Sequence, residues 1–291
     1  MLLPILLGVG TAGAGLLALS AWAERRLLRP DAHYPRPPVP AAAPGTRRLV
    51  CAGDSLTHGN MSASYVAPLA ARLAPAGVEV LNAGINADLT HTLLRRLDDV
   101  VAARPDFVSL LIGTNDVNAT LGPGQLRHYR RLGKLTPAEQ PSPEAYRQNL
   151  TQLLRRLRQE TTARVAVLSL PPLGEDLHHE ANRRADHYCA IIREVAQAEG
   201  ATYLSLRERL QELLHQQPSH PRVRFEQTTR LIRLAVVQHY GLGQSWDQIA
   251  AGHGCRFLTD NLHLNTAGAA VIEELIAGWV EQQLGAREAR G

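Results

Sequence analysis

The sequence predicts an α/β fold, a parallel sheet covered by helices on both faces. Two observations carry that prediction. Short apolar runs alternate along the chain with longer segments of helical periodicity, as they must where each crossover between parallel strands is a helix. Three of the runs also end in short polar segments: Gly53-Asp54-Ser55-Leu56, Asn82-Ala83-Gly84 and Gly113-Thr114-Asn115-Asp116. The carboxyl ends of parallel strands face one edge of a sheet, and ligands bind there.

The elements follow in order. The globular part begins near Thr46. Residues 49–52 read as the first strand, 63–74 as a helix and 78–81 as the second strand. Residues 89–103 read as a helix, because Leu89, Leu93, Leu94, Leu97 and Val100 recur at three- and four-residue spacing. Residues 107–112 read as the third strand, and 118–143, rich in Gly, Pro and Arg, as a loop. A helix over 143–159 has Ser142 as its N-cap and Pro143 in its first turn. The fourth strand, 165–170, is stopped by Pro171-Pro172. Gly200 closes a helix over 180–199, 202–206 is the fifth strand and 266–284 the last helix. Residues 207–250 read as a helical insertion packed near the site, either decorative or a substrate-shaping cap.

The domain organisation is a hydrophobic N-terminal segment (1–29), a linker (30–45), the globular domain (46–285) and a short tail (286–291). Residues 2–23 carry no charge, and Glu24, Arg25, Arg26 and Arg29 follow. At about 1.5 Å per residue such a helix spans a bilayer core. The expectation is a membrane-associated protein with an uncleaved single-pass anchor. The arginines after it favour keeping the domain on the cytoplasmic side. The alternative is a signal peptide cleaved after Ala21-Trp22-Ala23, with export, against which stands the absence of Lys or Arg before the run. Six prolines in the linker predict an extended tether.

Hydrophobic residues are 45% and charged residues 20% of the 291, a globular balance. Aromatics are only 4%, so aliphatic residues must fill the core. The net charge of +4 is too weak and dispersed to argue for nucleic acid, but suits an anionic membrane surface. Three cysteines without a CxxC give neither a zinc site nor a disulfide framework; a Cys189–Cys255 bridge needs an oxidising compartment.

A fourth segment, Asp260-Asn261-Leu262-His263, precedes the last helix and supplies what the three strand ends lack, a base. Serine is a poor nucleophile until a base takes its proton, and the base needs an orienting partner. His263 suits the first role and Asp260 the second. The oxyanion then needs preorganised donors, for which the candidates are the N–H of Ser55, the N–H of Gly84 and the side-chain amide of Asn115. A glycine at 84 lets backbone approach substrate closely.

Together these blocks resemble the SGNH (GDSL) hydrolase family: Ser55 in GDSL, Gly84 in NAG, Asn115 in GTND and His263 in DNLH, over residues 47–284. The resemblance implies a flavodoxin-like three-layer α/β/α sandwich with a five-stranded parallel sheet. It also implies hydrolysis of carboxylic esters or thioesters through an acyl-enzyme, with no metal or cofactor. The α/β-hydrolase elbow G-x-S-x-G fails here, because Thr57 stands where its second glycine belongs.

Blander readings compete at each position. Ser55 alone reads as a helix N-cap, Asp260 as a cap of the last helix and Asn115 as a turn residue. Asp54 and Asp116 are read as loop-bonding residues rather than acids. Asn82 ties loops, and His58 stabilises its own. His178-His179 with Glu175 and Asp176 invites a metal reading, but adjacent residues rarely face one ion. The basic groups around Arg127, Arg130, Arg131 and Lys134, and around Arg222, Arg224, Arg230 and Arg233, read as solvated surface that anionic headgroups also suit.

The expected substrates are lysophospholipids or other lipid esters, or simple acyl and aryl esters. The alternatives are carbohydrate O-acetyl groups, acyl transfer at the same site, or a membrane-tethered binding protein on a hydrolase scaffold. Tyr129, Tyr146, Trp246 and Phe257 are the few aromatics placed to form a sugar platform.

Overall fold

The computed structural model describes residues 27 and 29–288. Five parallel strands form one sheet: β1 (Arg47–Gly53), β2 (Val78–Gly84), β3 (Phe107–Leu111), β4 (Arg164–Leu168) and β5 (Thr202–Leu204), in the order β2-β1-β3-β4-β5. Side chains alternate between its faces. Val50 and Ala52 enter one core, Leu49 and Cys51 the other. Each such core Leu, fully removed from water, stabilises the fold by about 2 kcal/mol before entropy is counted.

Helices α3 (Thr90–Arg95), α4 (Leu97–Ala102), α7 (Pro143–Glu160) and α8 (Glu180–Glu199) cover the first face through Leu93, Leu97, Leu153 and Ile192. The second face is covered by α2 (Val66–Leu73), α9 (Leu206–Gln216) and α12 (Thr266–Glu288), through Leu69, Leu210 and Ile276. The strand order reverses between β1 and β3, which opens a crevice at their carboxyl ends. There the short helices α1 (Ser55–His58) and α5 (Thr114–Thr120) begin.

The structure departs from the sequence-based expectations where tertiary contacts override local signals. The expected helix 89–103 breaks into α3 and α4 at Arg96, whose guanidinium is drawn back to Asp88 Oδ2 (2.7 Å) and Gly53 O (3.0 Å). The expected loop 118–143 contains α6 (Pro123–Arg131), because Pro123 starts a helix at its first position instead of breaking one. The expected insertion 207–250 begins later: α9 is an integral sheet-covering helix, and only α10 (Thr228–Tyr240) and α11 (Trp246–Gly252) stand outside the layers.

The linker is not a free tether. His33 O accepts the N–H of Asn82 (3.2 Å), Tyr34 donates to Asp99 (2.6 Å) and Pro40 O accepts from the buried Arg48 (3.0 Å). The expected anchor, residues 2–23, lies outside the described residues, as does the end of the tail, 289–291. Among the described residues no helix is long and apolar enough to cross a membrane. Cys51, Cys189 and Cys255 are free and buried, so Cys189 and Cys255 form no bridge. Burial pushes all three thiols up to about 12.

Candidate active site

Strand β1 turns into α1 at Gly53-Asp54. A Cβ at Gly53 would lie 2.2 Å from Thr57 Oγ1 and 2.4 Å from Leu111 O, so the turn is closed to any other residue. Asp54, not Ser55, caps the helix: its Oδ1 accepts the N–H of Leu56 at 3.0 Å. Ser55 Oγ is thereby left to face His263 Nε2 at 2.9 Å.

His263 sits on a loop closed by an antiparallel bridge between Leu258 and Leu264. Asn261 adopts φ +76°, a left-handed conformation that asparagine tolerates better than most residues. The Asp260 carboxylate folds back over this turn. Its Oδ1 accepts the N–H groups of Leu262 (3.1 Å) and His263 (2.9 Å), and its Oδ2 accepts from His263 Nδ1 at 2.8 Å. A proton on Nδ1 leaves Nε2 as the acceptor turned to Ser55. All three residues are buried. Burial lowers the His263 pKa, but the Asp260 carboxylate more than offsets it, Asp54 adds to the effect, and the net shift is upward.

Asn115 sits in the first turn of α5 and lines the same cavity as Ser55 and His263. Its Nδ2 donates to Asp88 O (2.9 Å) and, at longer range, to Asp54 Oδ2 (3.3 Å). Gly84 is placed differently. It is not among the residues lining the cavity, and its N–H donates to Asn82 Oδ1 at 3.0 Å. A Cβ at Gly84 would meet His58 N at 2.2 Å and the Thr57 carbonyl carbon at 2.6 Å. The glycine is therefore required by the packing of β2 under α1.

The neighbouring polar residues are structural. Asn82 Nδ2 donates to His58 O (3.2 Å). Asp116 Oδ2 accepts both the N–H and the hydroxyl of Thr90 (3.0 Å each). Burial raises the carboxyls of Asp54 and Asp116 to about 7. Glu175 points inward and accepts the N–H groups of Arg256, Phe257 and Leu258, fixing the entry to the His263 loop. His179 instead caps α8, so these residues do not share a centre. Among the described residues no group of His, Cys, Asp and Glu is arranged to hold a metal ion.

Sequence reasoning missed several contributors. Tyr129 on α6 donates to Asn115 Oδ1 (2.7 Å), and Asn118 Nδ2 donates to Tyr129 (2.9 Å). Asp88, buried, is held by Arg96 and Lys134 (2.6 Å) and presents its carbonyl to Asn115. The crevice at Ser55 and His263 deepens into a cavity of about 760 Å³, mostly apolar, between α6 and the outer helix α10, with Ile232 and Val236 among its walls. The helical insertion expected over 207–250 was a signal for that wall, but not for its position.

A model of the GDSL-like lipase/acylhydrolase family matches residues 51–271. Among solved structures, the acetylxylan esterase Axe2 from Geobacillus stearothermophilus aligns with a TM-score of 0.56 and 17% identity, over 80% of this chain and 93% of that one. LAE5, an α/β hydrolase enzyme from the metagenome of Lake Arreo, Spain, gives 0.56 and 22%, over 81% and 95%. The acetyl xylan esterase AlAXEase gives 0.54 and 19%, over 80% and 98%. At these identities the likeness bears on the fold. A comparison with curated protein sequences found no significant match.

Proposed function

The chain belongs to the GDSL-like lipase/acylhydrolase family and is an ester-bond hydrolase, and we propose that it is a serine esterase acting on esters of extended acyl chains. The observation that supports this reading is the 2.9 Å contact between His263 Nε2 and Ser55 Oγ at the floor of a largely apolar cavity of about 760 Å³.

Ser55 Oγ attacks the acyl carbonyl as His263 Nε2 takes its proton, and Asp260 stabilises the imidazolium that forms. The tetrahedral oxyanion is met by the N–H of Ser55, at a helix start where N–H groups lack intrahelical acceptors. The Asn115 amide joins it by leaving its long contact to Asp54, while Gly84, whose N–H is held by Asn82 Oδ1 away from the cavity lining, serves the packing beneath α1. The oxyanion collapses, the Ser55 acyl ester remains, and the alcohol departs with the proton from His263. Water, deprotonated by His263, then attacks the acyl group and releases the acid.

The cavity is far larger than an acetyl group needs and lies in the range that encloses drug-sized ligands. Of the aromatics expected to carry a sugar, Tyr146, Trp246 and Phe257 are buried and are not among the residues lining the cavity, and Tyr129, which does line it, is engaged with Asn115 and Asn118. Both observations favour an acyl chain over carbohydrate O-acetyl groups.

The test is fluorophosphonate labelling of the wild type and Ser55→Ala, followed by p-nitrophenyl esters from acetate to palmitate. The reading expects labelling that depends on Ser55, and kcat/KM that rises from acetate toward longer chains. Labelling that survives Ser55→Ala would remove the assigned nucleophile. A preference for acetate would remove the acyl-chain reading and leave the esterase standing.

A further inference from the structure

We propose that the outer side of α10 and the end of α6 form a docking face for an anionic lipid bilayer, with the mouth of the cavity set against the lipid. Four observations converge on this face.

The first is exposed apolar area. Among the described residues the exposed large hydrophobics are Leu132, Leu234, Val237 and Leu242, and all four belong to this region. Leu132 and Val237 also line the cavity, so its apolar interior runs out to the rim. A gathered apolar patch rimmed by charge marks an interaction surface.

The second is the spacing on α10. Arg230, Arg233, Leu234 and Val237 recur at i, i+3, i+4 and i+7 and so share one side of the helix, while Leu231 and Ala235 are buried. A stripe of aliphatics flanked by arginines suits the boundary between headgroups and acyl chains.

The third is charge. Arg131 from α6 and Arg233 from α10 both line the cavity mouth, and neither has a carboxylate partner among the described residues. The two act on one place: burial lowers the pKa of His128, and the Arg131 and Arg233 charges lower it further. The cavity's other charged walls are already engaged, Lys134 with Asp88 (2.6 Å) and Glu226 with His179 (3.3 Å). Guanidiniums without a carboxylate partner complement phosphate headgroups.

The fourth is where the chain leads. Leu27 lines this cavity, and its carbonyl accepts from Asn60 (3.2 Å) and Asn86 (2.8 Å). The uncharged run of residues 2–23 ends four residues upstream. The run is thus joined to the described chain at this cavity, and a bilayer that takes it up suits a docking face here.

The docking face stands apart from the ester chemistry; only delivery of lipid esters to Ser55 rests on that reading. The full-length Leu242→Cys protein carries one exposed thiol, since Cys51, Cys189 and Cys255 are buried. Labelled with an environment-sensitive fluorophore, it is mixed with phosphatidylcholine vesicles with or without about 30 mol % phosphatidylglycerol, with Glu274→Cys on α12 as the control. The expected result is a blue shift and quenching by brominated lipid at position 242, stronger with phosphatidylglycerol, and neither at position 274. No quenching at 242, or equal quenching at both positions, overturns the docking face.

A second arm uses Leu234→Glu/Leu242→Glu, two positions outside the cavity walls. Hydrolysis of a lysophospholipid held in anionic vesicles should fall by about tenfold or more, while p-nitrophenyl butyrate hydrolysis stays near wild type. An unchanged rate on vesicles overturns the delivery of lipid through this face. Quenching at 242 in a protein that hydrolyses no ester leaves the docking face standing and removes the esterase reading instead.

Discussion

The Tyr129 hydroxyl donates to Asn115 Oδ1 at 2.7 Å while accepting from Asn118 Nδ2 at 2.9 Å. A tyrosine has one proton to give, and the Asn118 amide nitrogen can only donate, so the proton goes to Asn115. This fixes which end of the Asn115 amide is the donor end, and directs it toward Asp54 and Asp88 O. Tyr129→Phe removes the lock and leaves buried amide groups unpaired. We expect kcat to fall by about tenfold with KM nearly unchanged, and Asn115→Ala to cost about 10²–10³ in kcat. Steady-state kinetics on one p-nitrophenyl ester checks both, and a loss confined to KM would contradict the oxyanion role.

The pH dependence follows from the raised His263 pKa. The base has to be neutral to accept the Ser55 proton, so activity is lost as pH falls through that pKa. The acid limb of kcat/KM should lie above the ordinary histidine value of about 6.5. Asp260→Asn removes the charge that raises it. The limb should move to lower pH, with kcat reduced by about 10⁴ because the tautomer is no longer enforced. A pH–rate profile of the two proteins checks this, and a limb that does not move would detach Asp260 from His263.

Asp116 makes stability depend on pH in the opposite sense from a salt-bridged acid. Burial raises its pKa from 3.8 to about 7, so between those values the folded state holds a proton that the unfolded chain has released. Its contribution is present below about pH 4 and is lost as pH rises to about 7. Asp116→Asn keeps an acceptor for Thr90 without the charge. The melting temperature of the variant should gain on that of the wild type between about pH 4 and about pH 7. A constant gap across that range would show that Asp116 does not titrate there.

Gly84→Ala should destabilise the fold and not merely slow the reaction. Its Cβ meets backbone atoms of His58 and Thr57, which cannot yield as a flexible side chain does. We expect a loss of about 3 kcal/mol in urea unfolding, the upper part of the usual overpacking cost. Displacement of α1 should reduce kcat as well, since Ser55 opens that helix. Wild-type stability in the variant would contradict the close packing of β2 under α1.

Much of the site was legible in short segments. Ser55 and Asn115 follow strands whose apolar runs are plain, and Asp260 lies three residues before His263 within one turn. These relations are local or set by the polarity of a parallel sheet. The helix 89–103 was legible as helix but not as two, because Arg96 breaks it to reach Asp88 and Gly53 O across the fold. Tyr129 was legible only as an aromatic in a loop, because α6 forms where Pro123 starts a helix and the contact to Asn115 is tertiary. Gly84 was legible as a glycine, but its reason lay in α1, a different element.

By itself the sequence determined the parallel α/β architecture and the order of the four polar blocks, since hydrophobic period and local turn chemistry depend on neighbours along the chain. The tertiary structure alone decided the 2.9 Å meeting of Ser55 with His263, the cavity walled by α6 and α10, and the place of Leu27 beside its mouth. Those depend on contacts between residues up to 208 positions apart, where packing and burial, not periodicity, choose the partner.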